Sequence, residues 1–176
     1  DVRPLIDMTG GHHYNEVFFD NVRIPKTTMV GGLNKGFYQI AQQLDYERSG
    51  VERLMTNYPL LEDIVKYVKE TTYQGKSLSK SANVRQNVAD LMISFEAGKL
   101  LTYRVAWVLD QGKIPTTEAA LAKAFSTSFE QQLAQVTTQI PGLYGTLRSG
   151  SKGVPLAFRD PPVESYIFSP AYTIQG

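Results

Sequence analysis

The sequence predicts a mainly α fold: an antiparallel, up-down, four-helix-bundle-like domain preceded by short β strands. Three observations carry this. Apolar residues recur at alternating steps of three and four over long stretches between residues 37 and 140. β-Branched and aromatic residues in a strand-like run stand only before Pro25. Glycine or proline separates the periodic stretches, and short connections between long amphipathic helices favour antiparallel neighbours. The 176 residues suit one ordinary domain, and 42% hydrophobic with 20% charged residues describes a chain able to bury a core. Eighteen Lys+Arg against seventeen Asp+Glu leave a net charge of +1, which argues against a nucleic-acid or anionic-membrane binder. With no cysteine, disulfides, thiolate metal sites and cysteine nucleophiles are excluded, and a reducing, cytoplasmic setting is the default expectation. No apolar run approaches the ~20 residues of a membrane span, and Asp1-Val2-Arg3 does not read as a secretory signal.

Val2 to Leu5 reads as a short extended segment, and Thr9-Gly10-Gly11 punctuates it. Glu16 to Pro25 reads as a second strand, with a turn or bulge at Asp20-Asn21 and an end at Pro25. Two such strands cannot hide an apolar face alone, so residues 1–30 are expected to trail a larger β unit. After Gly31-Gly32 and Gly36 the period changes. Phe37, Ile40, Leu44, Glu47, Val51, Leu54 and Tyr58 form one helical face. Pro59 is expected to kink or restart this helix, which runs on through Leu60, Ile64, Val65 and Val68 to about Glu70, with Gly75 as its close. A second helix is predicted from about Asn83 to Gln111, with Val84, Val88, Leu91, Phe95, Gly98, Thr102, Val105 and Leu109 as its seam and Gly112 as its stop. A third opens at Thr116-Thr117-Glu118, with Leu121, Phe125, Phe129, Leu133, Val136 and Ile140 on its inner side. Residues 142–162 read as loop, and Val163 to Gly176 as room for one short helix, the last and cut short.

Glu47 is the most informative residue, because it stands between Leu44 and Val51 in an otherwise apolar face. Partial desolvation there would raise its pKa and make it a proton acceptor near neutral pH. A structural ion pair with Arg48 or another base explains the same position without catalysis, and Arg48 could equally pair with Glu52. His12 and His13, adjacent on an extended segment, point to opposite faces and have no third ligand at a suitable spacing, so no metal site is expected. Gly145 to Lys152 mimics a phosphate loop but has Ser151-Lys152 in the wrong order and no flanking strand and helix. Serine hydrolysis is not indicated, for want of a Gly-x-Ser-x-Gly elbow.

Five motifs in order carry a resemblance. They are His13 to Pro25, Gly32-Leu33-Asn34-Lys35-Gly36-Phe37, Leu44-Asp45-Tyr46-Glu47-Arg48, Gln139-Ile140-Pro141-Gly142-Leu143-Tyr144-Gly145, and Ser169 to Gly176. Together they resemble the acyl-CoA dehydrogenase family over essentially the whole chain: the last strands of its β domain (residues 1–30), then its C-terminal helical domain (residues 31–176). The resemblance implies part of a FAD-dependent oxidoreductase of fatty acid metabolism. A carboxylate takes the α proton of an acyl-CoA thioester, a hydride leaves the β carbon for FAD, and the 2,3-enoyl-CoA results. The family's base stands either in a late loop, at the position aligned with Gly176, or on the first long helix before an Arg, the position of Glu47. Here the late position is Gly and the early one Glu, so the resemblance implies Glu47 as base. By the same carry-over Asp45, Tyr46, Arg48, Tyr172, Gln175 and Gly176 bind substrate. Gln139, Ile140, Pro141, Gly142 and Leu143 approach the flavin, usually across a subunit boundary.

The family's Arg-x-x-Phe-Gly motif, whose Arg holds the FAD pyrophosphate, is replaced by Glu70-Thr71-Thr72-Tyr73-Gln74-Gly75, and Ala82 stands near the place of a frequent Gln. These departures suit a branch in which unlike subunits pair and only one holds a full site. Two alternatives therefore stand beside the dehydrogenase: a non-catalytic or half-site subunit of a heteromer, and a related flavin monooxygenase or nitroalkane oxidase. Expected partners are acyl-CoA, an electron-transfer acceptor protein, and further subunits in a homo- or hetero-dimer or tetramer. The fragment alone is expected to be inactive.

Overall fold

The computed structural model describes residues 1–48, 52–155 and 158–175. The chain forms two compact units, Asp1–Leu44 and Asp45–Gly176. In the first, β1 (Val2–Leu5) and β2 (Tyr14–Val17) form an antiparallel pair with Val2 opposite Val17 and Leu5 opposite Tyr14. The second strand thus ends at Val17, well short of the Pro25 predicted. Asn21 takes a positive φ of 49° at the Asp20-Asn21 turn, which breaks the extended run, and Pro25 leads into a single 3-10 turn, Lys26–Thr28. Between the strands, Asp7 accepts from the amide and hydroxyl of Thr9 and pairs with His13. Those hydrogen bonds hold the Asp7 carboxyl down to about 2. His12 bonds Asn15 at 2.8 Å, so both histidines serve the turn.

The predicted first helix is three segments: α1 (Gly36–Glu47), α2 (Glu52–Met55) and α3 (Tyr58–Glu70). Pro59 sits in the first turn of α3, where its missing donor costs nothing, so it restarts the helix rather than kinking it. Gly75 does more than stop α3. Gln74 and Gly75 both take positive φ, 49° and 76°, and turn a two-residue hairpin between β3 (Thr72–Tyr73) and β4 (Lys76–Ser77). Helix α4 (Ala82–Asp110) and α5 (Thr116–Gln139) follow, joined through Gly112 at φ 68°. After a 3-10 turn at Gly142–Thr146 the chain ends in α6 (Pro162–Ile174). The short helix expected within Val163 to Gly176 is thus present and runs up to Ile174, even across Pro170. Pro170 cannot donate to the carbonyl of Tyr166, and the hydroxyl of Ser169 reaches that oxygen at 3.5 Å instead.

Among the described residues the core is one cluster, in the second unit. Leu54, Leu61, Ile64, Val68, Leu91, Phe95, Phe129, Leu133, Val136 and Phe158 meet there, with Phe95 stacked in a tilted geometry on both Tyr58 and Phe129. Gly98 lets α4 approach α2: a Cβ at that position would lie 3.0 Å from a methyl carbon of Leu54. On α4 and α5 two predicted seam residues are corrected, and on the first predicted face Tyr58 is exposed. Leu109 is exposed while Val108 is buried, and Leu121 is exposed while Ala119 and Ala122 are buried. The long connection before α6 is pinned to α3. Phe158 enters the core beside Tyr67, and the carboxylate of Asp63, only 5% exposed, accepts from the backbone N–H of Arg159 at 2.8 Å and its Nε at 2.9 Å. The Arg159 guanidinium also donates to Glu62 and to the carbonyl of Pro59.

Candidate functional site

Three elements of the second unit bring polar side chains to one cavity of about 280 Å³, lined by Glu52, Arg53, Thr56, Glu130, Tyr172 and Gln175. Each is held by an apolar neighbour. Leu54 is fully buried and seats α2, leaving Glu52, Arg53 and Thr56 on its open side. Phe129 seats α5, so the next residue, Glu130, stands at the cavity wall. The edge-on contact of Phe168 with Tyr172, centroids 4.9 Å apart, fixes the tyrosine ring near the end of α6. Helix α6 lies antiparallel along α5: Lys123 Nζ donates to the carbonyl of Thr173 at 2.8 Å, and the Gln131 amide donates to the Thr173 hydroxyl.

The electrostatics follow from burial. Desolvation pushes the Glu130 carboxyl up to about 7, against the opposing pull of the Arg53 charge and a hydrogen bond from Asn57. Lys123 is lowered by burial and by the charges of Arg53 and Arg48. Arg48, at the end of α1, therefore belongs to the same electrostatic neighbourhood as Arg53, Lys123 and the end of α6. A carboxyl poised near neutrality beside a guanidinium and three neutral hydrogen-bonding groups can give or take a proton and can orient a polar ligand.

The sequence-predicted residues fall into three groups. Tyr172 and Gln175 line the cavity, and Arg48 acts on the lysine beside it. Asp45 is half-buried and accepts from the Thr116 hydroxyl at 2.9 Å, whereas Tyr46 and Glu47 are exposed. The part-buried setting that its register predicts for Glu47 is thus not found in this chain: Leu44 is half-buried, Phe37 and Ile40 on the same face are exposed, and Val51 lies outside the described residues, as does Gly176. Gln139, Ile140, Pro141, Gly142 and Leu143 form the exit of α5. Nine residues separate Gln139 from Glu130 of the cavity wall, so this turn and the cavity are about 14 Å apart along the helix. Gly142 has φ 63° with open space at its Cβ position, and Leu143 is 87% exposed. Neither Glu130 nor Arg53 belongs to any of the five motifs. The signal for Glu130 was its place in the buried register, four residues after Ser126 and three after Thr127, both buried.

Among the described residues no three His, Asp or Glu side chains cluster as metal ligands, and no helix is long and apolar enough to cross a membrane. The family model described as "Acyl-CoA dehydrogenase, C-terminal domain" matches residues 34–167. The chain is 30% identical over 136 residues to "Caffeyl-CoA reductase-Etf complex subunit CarC" of Acetobacterium woodii, covering 76% of this chain and 36% of that protein. It is 30% identical over 167 residues to "Cyclohexane-1-carbonyl-CoA dehydrogenase" of Geobacter metallireducens, covering 94% and 43%. Among solved structures, the ChsE4-ChsE5 complex from Mycobacterium tuberculosis superposes with a TM-score of 0.85 at 25% identity, over 100% of this chain and 44% of that one. The chain spans about two fifths of the length of these relatives.

Proposed function

The chain belongs to the acyl-CoA dehydrogenase family, and from that premise we propose that it forms the C-terminal part of an enzyme oxidising an acyl-CoA thioester to the 2,3-enoyl-CoA. The observation that supports this best is the convergence of Arg48, at the end of the early Glu47-Arg48 motif, with Tyr172 and Gln175 of the late motif through Lys123. Two sequence motifs more than 120 residues apart thus share one polar neighbourhood in the fold, as a site assembled from both requires.

In this reading Glu47 takes the α proton of the thioester. Its exposure leaves the carboxylate open to an approaching ligand. Asp45, held by Thr116, fixes the last turn of α1 and so the direction of the neighbouring Glu47. Tyr172 and Gln175 orient the thioester end. The exit of α5 fits a flavin: Gly142 leaves room for a flat ring, and the exposed Leu143 offers it an apolar face. Bound FAD supplies the hydride acceptor. Gln139 to Leu143, about 14 Å along α5 from the cavity, serve the flavin of a neighbouring subunit, so that each site draws on two chains.

A surface suited to such a neighbour exists on α4, where Ile93, Leu100, Tyr103 and Trp107 expose one apolar stripe at helical spacing. A half-site subunit of a heteromer is the second reading, favoured by the absence of an Arg from Glu70-Thr71-Thr72-Tyr73-Gln74-Gly75, the segment in the place of the family's pyrophosphate-binding motif. The test is a titration of the full-length protein with acyl-CoA thioesters. Glu47→Gln is expected to keep the bound flavin's absorption while abolishing its bleaching by substrate. Undiminished bleaching in that variant overturns the assignment of the base, and a purified protein with no flavin of its own favours the half-site reading.

A further inference from the structure

The cavity between α2, α5 and α6 contains more polar chemistry than a proton abstraction at Glu47 uses. Its wall combines donors (the Arg53 guanidinium and the Gln175 amide) with the acceptors Glu52, Glu130 and the Thr56 oxygen, whose own proton goes to the Arg53 carbonyl, and with Tyr172 beside them. A purely apolar group entering it would remove water from these side chains and return no hydrogen bond, which is costly. A carboxylate would meet Glu52 and Glu130 at close range, with Arg53 the one cation among the described residues of the wall. A neutral group carrying a hydroxyl or carbonyl oxygen suits the wall on both counts. Its oxygen can accept from Arg53 or Gln175, and a hydroxyl can in turn donate to Glu130. The volume, about 280 Å³, holds several heavy atoms rather than one or two waters.

We propose that this cavity is a specificity subsite for a neutral oxygen-bearing group on the acyl portion of the substrate, with Glu130 and Arg53 as the residues that select it. The proposal rests on the acyl-CoA reading of the preceding section, because Tyr172 and Gln175 bring the substrate to this wall. Glu130 acts here as a binding residue and takes no part in the oxidation.

The test compares two thioesters of equal chain length, an alkanoyl-CoA and its ω-hydroxy counterpart, on the full-length protein with its flavin and any partner subunit. Affinity is read by calorimetry and flavin bleaching is read separately. One hydrogen bond to a charged group gives an expected preference of about tenfold for the hydroxy thioester. Glu130→Leu is expected to reduce that ratio to about one. Thr56→Val, an isosteric change on the same wall, is expected to reduce it about threefold and covers the case in which the Leu variant does not fold. Equal affinities in the unaltered protein, or a preference that survives both substitutions, overturn the subsite. Bleaching by both thioesters without any preference overturns the subsite and leaves the dehydrogenase reading standing. A preference without bleaching supports the subsite and removes the oxidation, whereas no binding of either thioester removes both.

Discussion

Asp63→Asn is the substitution whose consequence the fold defines most closely. Asp63 is buried, and its two oxygens accept from the Arg159 backbone N–H at 2.8 Å and from Nε at 2.9 Å, across 96 residues of sequence. An Asn keeps the shape but has one acceptor. Its amide N–H2 must then face one of two donors, so a charge-assisted bond worth about 1.5–3 kcal/mol is lost and a buried donor is left opposed. The Arg159 side chain is about half exposed and can turn to water, which places the total at about 3 kcal/mol, the lower end of the roughly 3–5 kcal/mol for removing one partner of a buried pair. That is a factor of about 150 in the local opening equilibrium. Hydrogen–deuterium exchange on the intact protein reads this directly: amides of residues 158–160 should lose about 150-fold in protection, while those of β1 and β2 stay unchanged. Arg159→Ala should cost only about tenfold, because its backbone N–H still reaches Asp63. A change below threefold in the Asn variant would refute the claim that this pair pins the connection to α3.

Two further outcomes follow from local geometry. Gly145→Ala should destabilise by about 3 kcal/mol in a denaturant titration, since its Cβ would lie 2.0 Å from the backbone oxygen of Thr138 and no side-chain rotation relieves that. Glu130 gives a pH signature. Its carboxyl, ordinarily 4.5, is raised to about 7 in the folded chain, so the folded state binds the extra proton between those values. Stability therefore falls as pH rises from about 4.5 through 7 and levels off above. Glu130→Gln should remove that slope from a series of urea midpoints, and an identical slope in the variant would count against the burial of the group.

Much of this fold could be read from periodicity, and the errors have physical causes. The bounds of α4 and α5 lie within a residue or two of those predicted, because each carries a long apolar repeat closed by glycine or proline. The seam of α4 departs at its end: the buried line runs through Leu91, Phe95, Gly98, Thr102 and Val105 to Val108, a step of three where four was expected. A period below 3.6 drifts around the helix as it crosses its neighbours, so Val108 replaces Leu109. On α5 the large Leu121 was preferred to the small residues that hold the register, Ala119, Ala122 and Ser126. The β3–β4 hairpin was hidden because Gln74-Gly75 was read only as a helix stop. The Asp63–Arg159 pair has no local signature at all. Of the candidate site, Tyr172, Gln175 and Arg48 were legible from motifs, whereas Glu130 was visible only as a charge beside a buried register.

Helix α5 carries both halves of the candidate machinery on one rod. Its 24 residues extend about 36 Å, with Lys123 and Glu130 toward the cavity and Gln139 at the far exit. A stiff beam of that length has few ways to move one end alone. A tilt pivoting on Phe129 and Leu133, both locked in the core, swings the two ends in opposite directions like a seesaw. Glu130 adjoins that pivot, so a tilt that moves the exit of α5 leaves the cavity wall nearly in place.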